Sequence, residues 1–379
     1  MMKQDIRDKP LTVVLISVPM LLGLPIVGIM LVDLPVGRYL EFPPETRFVE
    51  HPPFSWAIFF VYLAVIAGLI LPFLLRSIAS KGGGAKKKAN GRRFPLWGWI
   101  GIICGLGFWL LAWTRFSWFS RFQPHTFTPL WISFIIVVNA LCFSRTGRSL
   151  ITHRTGFLLA LFPLSAVFWW FFEYLNRFVQ NWHYMGVRYS ASSYVLYASI
   201  SFSTVLPAVM SVRELVKEFR WIQQGFRTWA QFPVVSNRLL GLGGLITGGL
   251  ALLLVGILPN VLFSMLWVAP LVIIISVQIL TGQSHVFSGL SEGDWREVVS
   301  SALAALICGW FWEMWNYLSL AKWEYTIPFV NKFHVFEMPI LGYGGYLPFG
   351  LECAAVVSLI NGIWNSPPPK GSNGTESQT

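Results

Sequence analysis

Charged residues are scarce in this chain. Asp, Glu, Lys and Arg supply 12% of its 379 residues, against roughly 25% in an ordinary soluble domain, which excludes a water-soluble globule. Cysteine is scarce as well. Cys104, Cys142, Cys308 and Cys353 all fall inside apolar stretches and no C-x-x-C pair occurs, so neither a disulfide framework nor a thiolate zinc site is expected. There is no Walker loop and no G-x-G-x-x-G element, which argues against ATP-driven transport and a dinucleotide-binding domain. The six histidines form no His-x-x-x-His pair within an apolar run. No spacing demands a metal, and neither metal nor cofactor is expected.

Apolar residues take up the space that charge leaves. Hydrophobic residues make up 55% of the chain and aromatic residues 16%, with a mean hydropathy of +0.59. Apolar runs long enough to cross a bilayer recur along the chain. Ten spans are expected, at approximately 11–32, 54–76, 97–116, 127–144, 156–175, 193–212, 240–258, 262–280, 297–318 and 342–363. The fold class is therefore an all-α polytopic transmembrane bundle of about ten helices.

The net charge of +11 is placed as a membrane topology requires. With a cytoplasmic N-terminus, 20 of the 28 basic residues fall in inner segments, as the positive-inside rule demands. Both termini are expected in the cytoplasm of a bacterial-type inner membrane. The basic Lys-Gly stretch around Lys86–Arg93 reads as a linker touching anionic lipid headgroups, with no nucleic-acid role. The first span lacks a small-x-small cleavage site and reads as an anchor. Residues 365–379 have the composition of a disordered tail, whose Asn373-Gly-Thr sequon is incidental on the inner side.

Two stretches of the sequence repeat each other. Gly101-Ile-Ile-Cys-Gly105 matches Gly244-Leu-Ile-Thr-Gly248, Phe127-Thr-Pro-Leu-Trp131 matches Phe263-Ser-Met-Leu-Trp267, and Thr146-Gly147 matches Thr281-Gly282. Glu173-x-x-Asn176 matches Glu313-x-x-Asn316, Trp182-x-Tyr184 matches Trp323-x-Tyr325, and Leu206-Pro207 matches Leu347-Pro348. Matches in one order imply a duplicated four-helix unit. An even number of spans per unit makes the repeat parallel, about an axis near the membrane normal. The expected organisation is a two-helix hairpin (1–78), a basic linker (79–96), repeat one (97–213), a cytoplasmic connector (214–239), repeat two (240–364) and the tail (365–379). The G-x-x-x-G pairs are expected to serve helix packing.

A carboxylate inside an apolar helix costs about 2.5 kcal/mol or more at the bilayer centre, so each one is a functional candidate. Glu173 with Asn176, and Glu313 with Asn316, lie three residues apart and share a helical face near the outer ends of two spans. Arg177, four residues after Glu173, offers it an ion-pair partner, whereas Tyr317 takes that place after Glu313. Glu313 is therefore expected to matter more, as general acid or cation ligand, with Asn316 orienting it. Glu324, His334, Glu337 and Glu352 concentrate polar groups in the second copy, where the first has Leu196 and Ser211 opposite Glu337 and Glu352. Glu337 and Glu352 are expected as supporting acids. The glycines at 342, 344 and 345 form either a re-entrant entry or a capping loop.

Trp310, Trp312, Trp315, Tyr317, Trp323 and Tyr325 surround Glu313, with His334 in the same outer segment. They are either an interface belt or a cage for a sugar, an isoprenoid or a cationic group. The expected function is a membrane-embedded enzyme acting on a lipidic, isoprenoid or lipid-linked substrate from the periplasmic side. A proton- or cation-coupled secondary transporter and an assembly or anchoring protein are the alternatives. Membrane lipids and an amphiphilic substrate are the expected partners.

Overall fold

Hydrocarbon offers the backbone no hydrogen-bond partners, so an apolar run entering a membrane satisfies its own amides by coiling into a helix. The apolar runs do so in the structure, a computed structural model that describes residues 9–44, 46–80, 92–232 and 237–364. The main helices are α1 (Lys9–Met30), α2 (Trp56–Ala79), α3 (Leu96–Trp113), α4 (Phe127–Thr146), α5 (Thr155–Val179), α6 (Ala191–Phe202), α7 (Val205–Lys217), α8 (Arg238–Leu254), α9 (Ala269–Leu280), α10 (Arg296–Tyr317) and α11 (Tyr346–Trp364). Among the described residues, eight helical spans are long and apolar enough to cross a membrane, α6 and α7 together making one of them. The chain is a predominantly helical, multi-pass membrane protein.

Two expected spans take other forms. Pro259–Leu266 and α9 are long enough to cross only together and are bent by 56° at their junction, and Arg238–Leu254 is a shorter apolar helix. Pro259 and Pro270 each lack an amide hydrogen, and each sits in the first turn of its segment, where the helix needs none. The linker residues 81–91 and the tail 365–379 lie outside the described residues.

Glycine decides how the hairpins pack. A Cβ on Gly101 would lie 2.8 Å from the Ile136 side chain of α4. On Gly244 it would meet Ser276 of α9, and on Gly248 it would lie 3.1 Å from Ile273. The missing side chains let α3 approach α4 and α8 approach α9, the close packing expected of these motifs. Helix α1 lies against α8, where a Cβ on Gly28 would strike the Leu253 carbonyl.

The two ends of the bundle differ chemically. At the connector end, Arg213 and Lys217 of α7 both pair with Glu297 of α10. There Arg76, at the end of α2, donates to the carbonyls of Gly225 and Thr228. The opposite end carries structure that helical periodicity does not foretell. Strands β1 (Trp182–Met185) and β2 (Lys322–Tyr325) pair antiparallel, and β3 (His334–Val335) pairs with β4 (Met338–Pro339). These short ladders sit on a bundle that is otherwise helical, as the all-α expectation has it.

Candidate functional site

Glu173 and Asn176 stand one turn apart on α5, and Asn176 organises the chain just beyond the helix. Gln180 adopts φ 53° and turns the backbone back. The Asn176 side chain donates to the Trp182 carbonyl at 2.8 Å, and its Oδ1 accepts from the Asn181 amide at 2.8 Å. This clamp starts β1, whose period of two puts Trp182 and Tyr184 on one face. That face meets Glu173. Its Oε1 accepts from the Tyr184 hydroxyl at 2.6 Å, the Trp169 indole at 3.0 Å and the Trp182 indole at 3.2 Å.

The same construction recurs on α10. Asn316 donates to the Trp323 carbonyl at 2.7 Å and accepts from the Trp323 amide at 2.9 Å, which starts β2. Tyr325 donates to Glu313 Oε1 at 2.7 Å, and Trp323 donates to the Tyr325 hydroxyl at 2.8 Å. A second hydroxyl reaches Glu313 from the start of α11, Tyr346 at 2.6 Å. Both carboxylates are fully buried, and on each the second oxygen, Oε2, has no hydrogen-bond partner. The two units meet through the β ladder, where Trp182 lies opposite Tyr325, His183 opposite Glu324 and Tyr184 opposite Trp323.

Electrostatics assigns the hydrogen-bond directions. Burial, and then the neighbouring Glu173 or Glu313 charge, pushes the Tyr184 and Tyr325 hydroxyls well above the ordinary phenol range. Both therefore stay protonated and donate. Burial lowers the His183 imidazole, with Glu324 acting the other way. Burial also works against the Lys322 ammonium, but hydrogen bonds to Glu324 and Glu337, each 2.8 Å away, outweigh it and hold the group above its usual range.

A cavity of about 670 Å³ lies in front of these groups. Trp169, Trp182, Tyr184, Trp312, Trp323, Tyr325 and Tyr346 line it, while Glu173 and Glu313 stand one layer behind, reached through their tyrosine and indole donors. Its flanks include Val65 and Leu69 of α2, which are 56% and 64% exposed. The lining also includes Ser264, Trp267 and Val268 at the bent junction before α9, with Trp267 stacked on Trp182 of β1. The glycine stretch forms a 3-10 helix, Ile340–Gly345, running into α11 and lining the cavity, with Gly344 against Ile66 of α2.

The remaining expected residues divide by position. Trp312, Trp323 and Tyr325 line the cavity. Trp315 is buried among Trp131, Phe134 and Phe311, and Trp310 and Tyr317 are exposed against Phe336. His334 is exposed and bonded to Asn331, and Glu337 pairs with Lys322. Glu352 is fully buried within α11, and neither of its oxygens has a partner. The anticipated Glu173–Arg177 ion pair is replaced by another contact: Arg177 donates at 2.7 Å to the Tyr39 carbonyl. A tether from the segment before α2 competes for a guanidinium that local spacing had assigned to the carboxylate. Tyr346 and Trp169 were missed as donors. Trp169 was findable as the residue four before Glu173; Tyr346 carries no local signal.

Among the described residues, no three His, Cys, Asp or Glu side chains gather as metal ligands. Gly289-Leu-Ser-Glu-Gly293 has the spacing of a hydrolase nucleophile elbow, yet it lies in a 3-10 helix with Ser291 bonded to the Ser288 carbonyl. That motif requires a strand-to-helix turn presenting the serine. No known family, curated protein or solved structure matches the chain.

Proposed function

We propose that this protein is a membrane-embedded enzyme that takes a lipidic or amphiphilic molecule into the aromatic cavity and acts on it through the two glutamate–tyrosine units. The observation that carries the reading is the cavity itself. Its flank on α2 is exposed and apolar at membrane depth, and its inner wall is backed by two buried carboxylates. Its volume lies in the range of small-molecule sites, which are apolar with a few convergent polar groups. Because the tyrosines donate to the carboxylates, each unit is an acceptor. A carboxylate takes the tyrosine proton as the tyrosine oxygen takes one from the bound molecule, or it balances positive charge there.

A parallel duplication of a four-helix unit, within ten spans, accounts for the paired construction. The ladder supports it: exchanging the two strands turns the pair Trp182–Tyr325 into the pair Trp323–Tyr184 and leaves His183 facing its own counterpart Glu324, as a two-fold axis between these two residues requires. Matching Asn clamps and matching glycine-packed hairpins support it too. The connector end, with Arg76, Arg213 and Lys217, is assigned to the cytoplasm of a bacterial inner membrane, and the ladder end to the periplasm. Lipid extraction from the purified protein, with mass spectrometry, tests the function. A stoichiometric amphiphile whose occupancy falls in Glu173→Gln and Glu313→Gln proteins of normal abundance is expected. Its retention by both variants overturns the role given to the carboxylates.

One observation favours a proton- or cation-coupled transporter as the second reading. The bent Pro259–Leu266 and Ala269–Leu280 pair breaks at the cavity wall, as discontinuous helices do around transported substrates. Uptake of an amphiphile into vesicles that Glu352→Gln abolishes, without loss of binding, would establish it.

A further inference from the structure

Resting on the cavity reading above, we infer that the amphiphile it takes carries a positively charged ammonium head, held against the ring faces beside Glu173 and Glu313. Ring faces are negative and attract cations, most strongly when water is excluded. Trp169, Trp182, Tyr184, Trp312, Trp323, Tyr325 and Tyr346 line the cavity, and stacking of Trp182 on Trp267 at 5.8 Å and of Trp312 on Tyr346 at 6.1 Å covers one face of Trp182 and of Trp312 and fixes these rings. Behind them, the hydrogen bonds to both carboxylates come from neutral tyrosine and tryptophan donors. The one cationic side chain in the lining, Lys322, is already held by Glu324 and Glu337 at 2.8 Å each. The cavity therefore offers aromatic rings with two carboxyl groups one layer behind them, and its one lysine is already paired.

Other head groups fit poorly. An anionic head would find a single lysine in the lining, Lys322, already paired twice, with Glu173 and Glu313 one layer behind the wall. A sugar needs many hydrogen bonds, and of the ten hydroxyl-bearing residues in the lining, Tyr62 bonds Ser264, Thr128 bonds Ser201, and Tyr184, Tyr325 and Tyr346 are already given to the carboxyl groups. An alkylammonium needs only ring faces, a counter-charge at modest distance and room for its chain, which the exposed flank of α2 provides.

The test uses the full chain in neutral maltoside micelles and isothermal titration with three probes. These are decyltrimethylammonium, its uncharged isostere with a tert-butyl group in place of the ammonium, and decyl sulfate. The cation is expected to bind about tenfold tighter than the isostere, and the sulfate most weakly. In the Glu173→Gln/Glu313→Gln double variant the preference should shrink to about threefold or less, while affinity for the isostere is kept. Equal binding of cation and isostere by the unmodified protein overturns the ammonium head while leaving an amphiphile cavity standing, as does tighter binding of the sulfate. Binding of none of the three overturns the cavity reading beneath it. A double variant that keeps the full preference removes the carboxylates from the recognition. If that variant does not fold, the unmodified protein still decides the head group.

Discussion

Glu173 and Glu313 hold corresponding places on α5 and α10, yet their carboxylates are served by different neighbours. Four residues before Glu173 stands Trp169, whose indole donates to it; four before Glu313 stands Gly309. The space that glycine leaves is filled by the Tyr346 ring, which a Cβ on Gly309 would strike, and whose hydroxyl supplies the missing donor. The residue 141 positions before Tyr346 is Val205, whose side chain has no donor to give. One unit thus takes its extra hydrogen bond from its own helix and the other from the next. The requirement common to both is a buried carboxyl oxygen given neutral donors, since leaving such a polar group unbonded costs more than any particular choice of partner. The Asn clamps, by contrast, are alike, because both must pair strand backbone that has no other partner.

The largest effect expected on this comparison is loss of a clamp. Asn176→Ala and Asn316→Ala should each cost about 2–4 kcal/mol by leaving buried backbone groups unpaired. Asn176 should cost more, since its strand start is the more deeply buried. Chemical unfolding in micelles measures this, and an unaffected Asn316→Ala protein would break the equivalence. Next comes transplantation of the first unit's donor into the second. Gly309→Trp and Tyr346→Val should each destabilise, by about 1–3 kcal/mol. The double variant should recover at least about 0.5 kcal/mol relative to additivity, as residues sharing one space do. Strict additivity would mean that the two positions do not substitute for one another.

Smaller again is removal of a single hydroxyl. Tyr325→Phe should cost about 1 kcal/mol and Tyr184→Phe less, because Glu313 is left with one donor and Glu173 with two. The order of their unfolding midpoints checks it. The smallest effect should come from Arg177→Gln. Arg177 bonds to the Tyr39 carbonyl and makes no hydrogen bond to Glu173, so affinity for the cationic probe should change by less than about twofold. A drop as large as that of Glu173→Gln would restore the ion pair that local spacing proposes, and with it the unequal roles of the two glutamates.

Hydropathy and spacing alone determined that this chain coils into apolar helices. They also determined that Glu-x-x-Asn sits on one helical face and that Glu-x-x-Asn and Trp-x-Tyr each occur twice in the same order. These are properties of the residue string or of neighbours within a turn, where backbone geometry leaves little choice. Tertiary structure alone decided that the two Trp-x-Tyr segments pair with each other and that Tyr346 reaches back to a glutamate 33 residues earlier. It also decided that Arg177 turns to Tyr39, and that Glu173 and Glu313 stand behind an aromatic wall instead of lining the cavity. Each of those outcomes is a competition between partners distant in sequence. Such a competition is resolved by which buried donors and acceptors are brought within hydrogen-bonding distance, a quantity that periodicity does not contain.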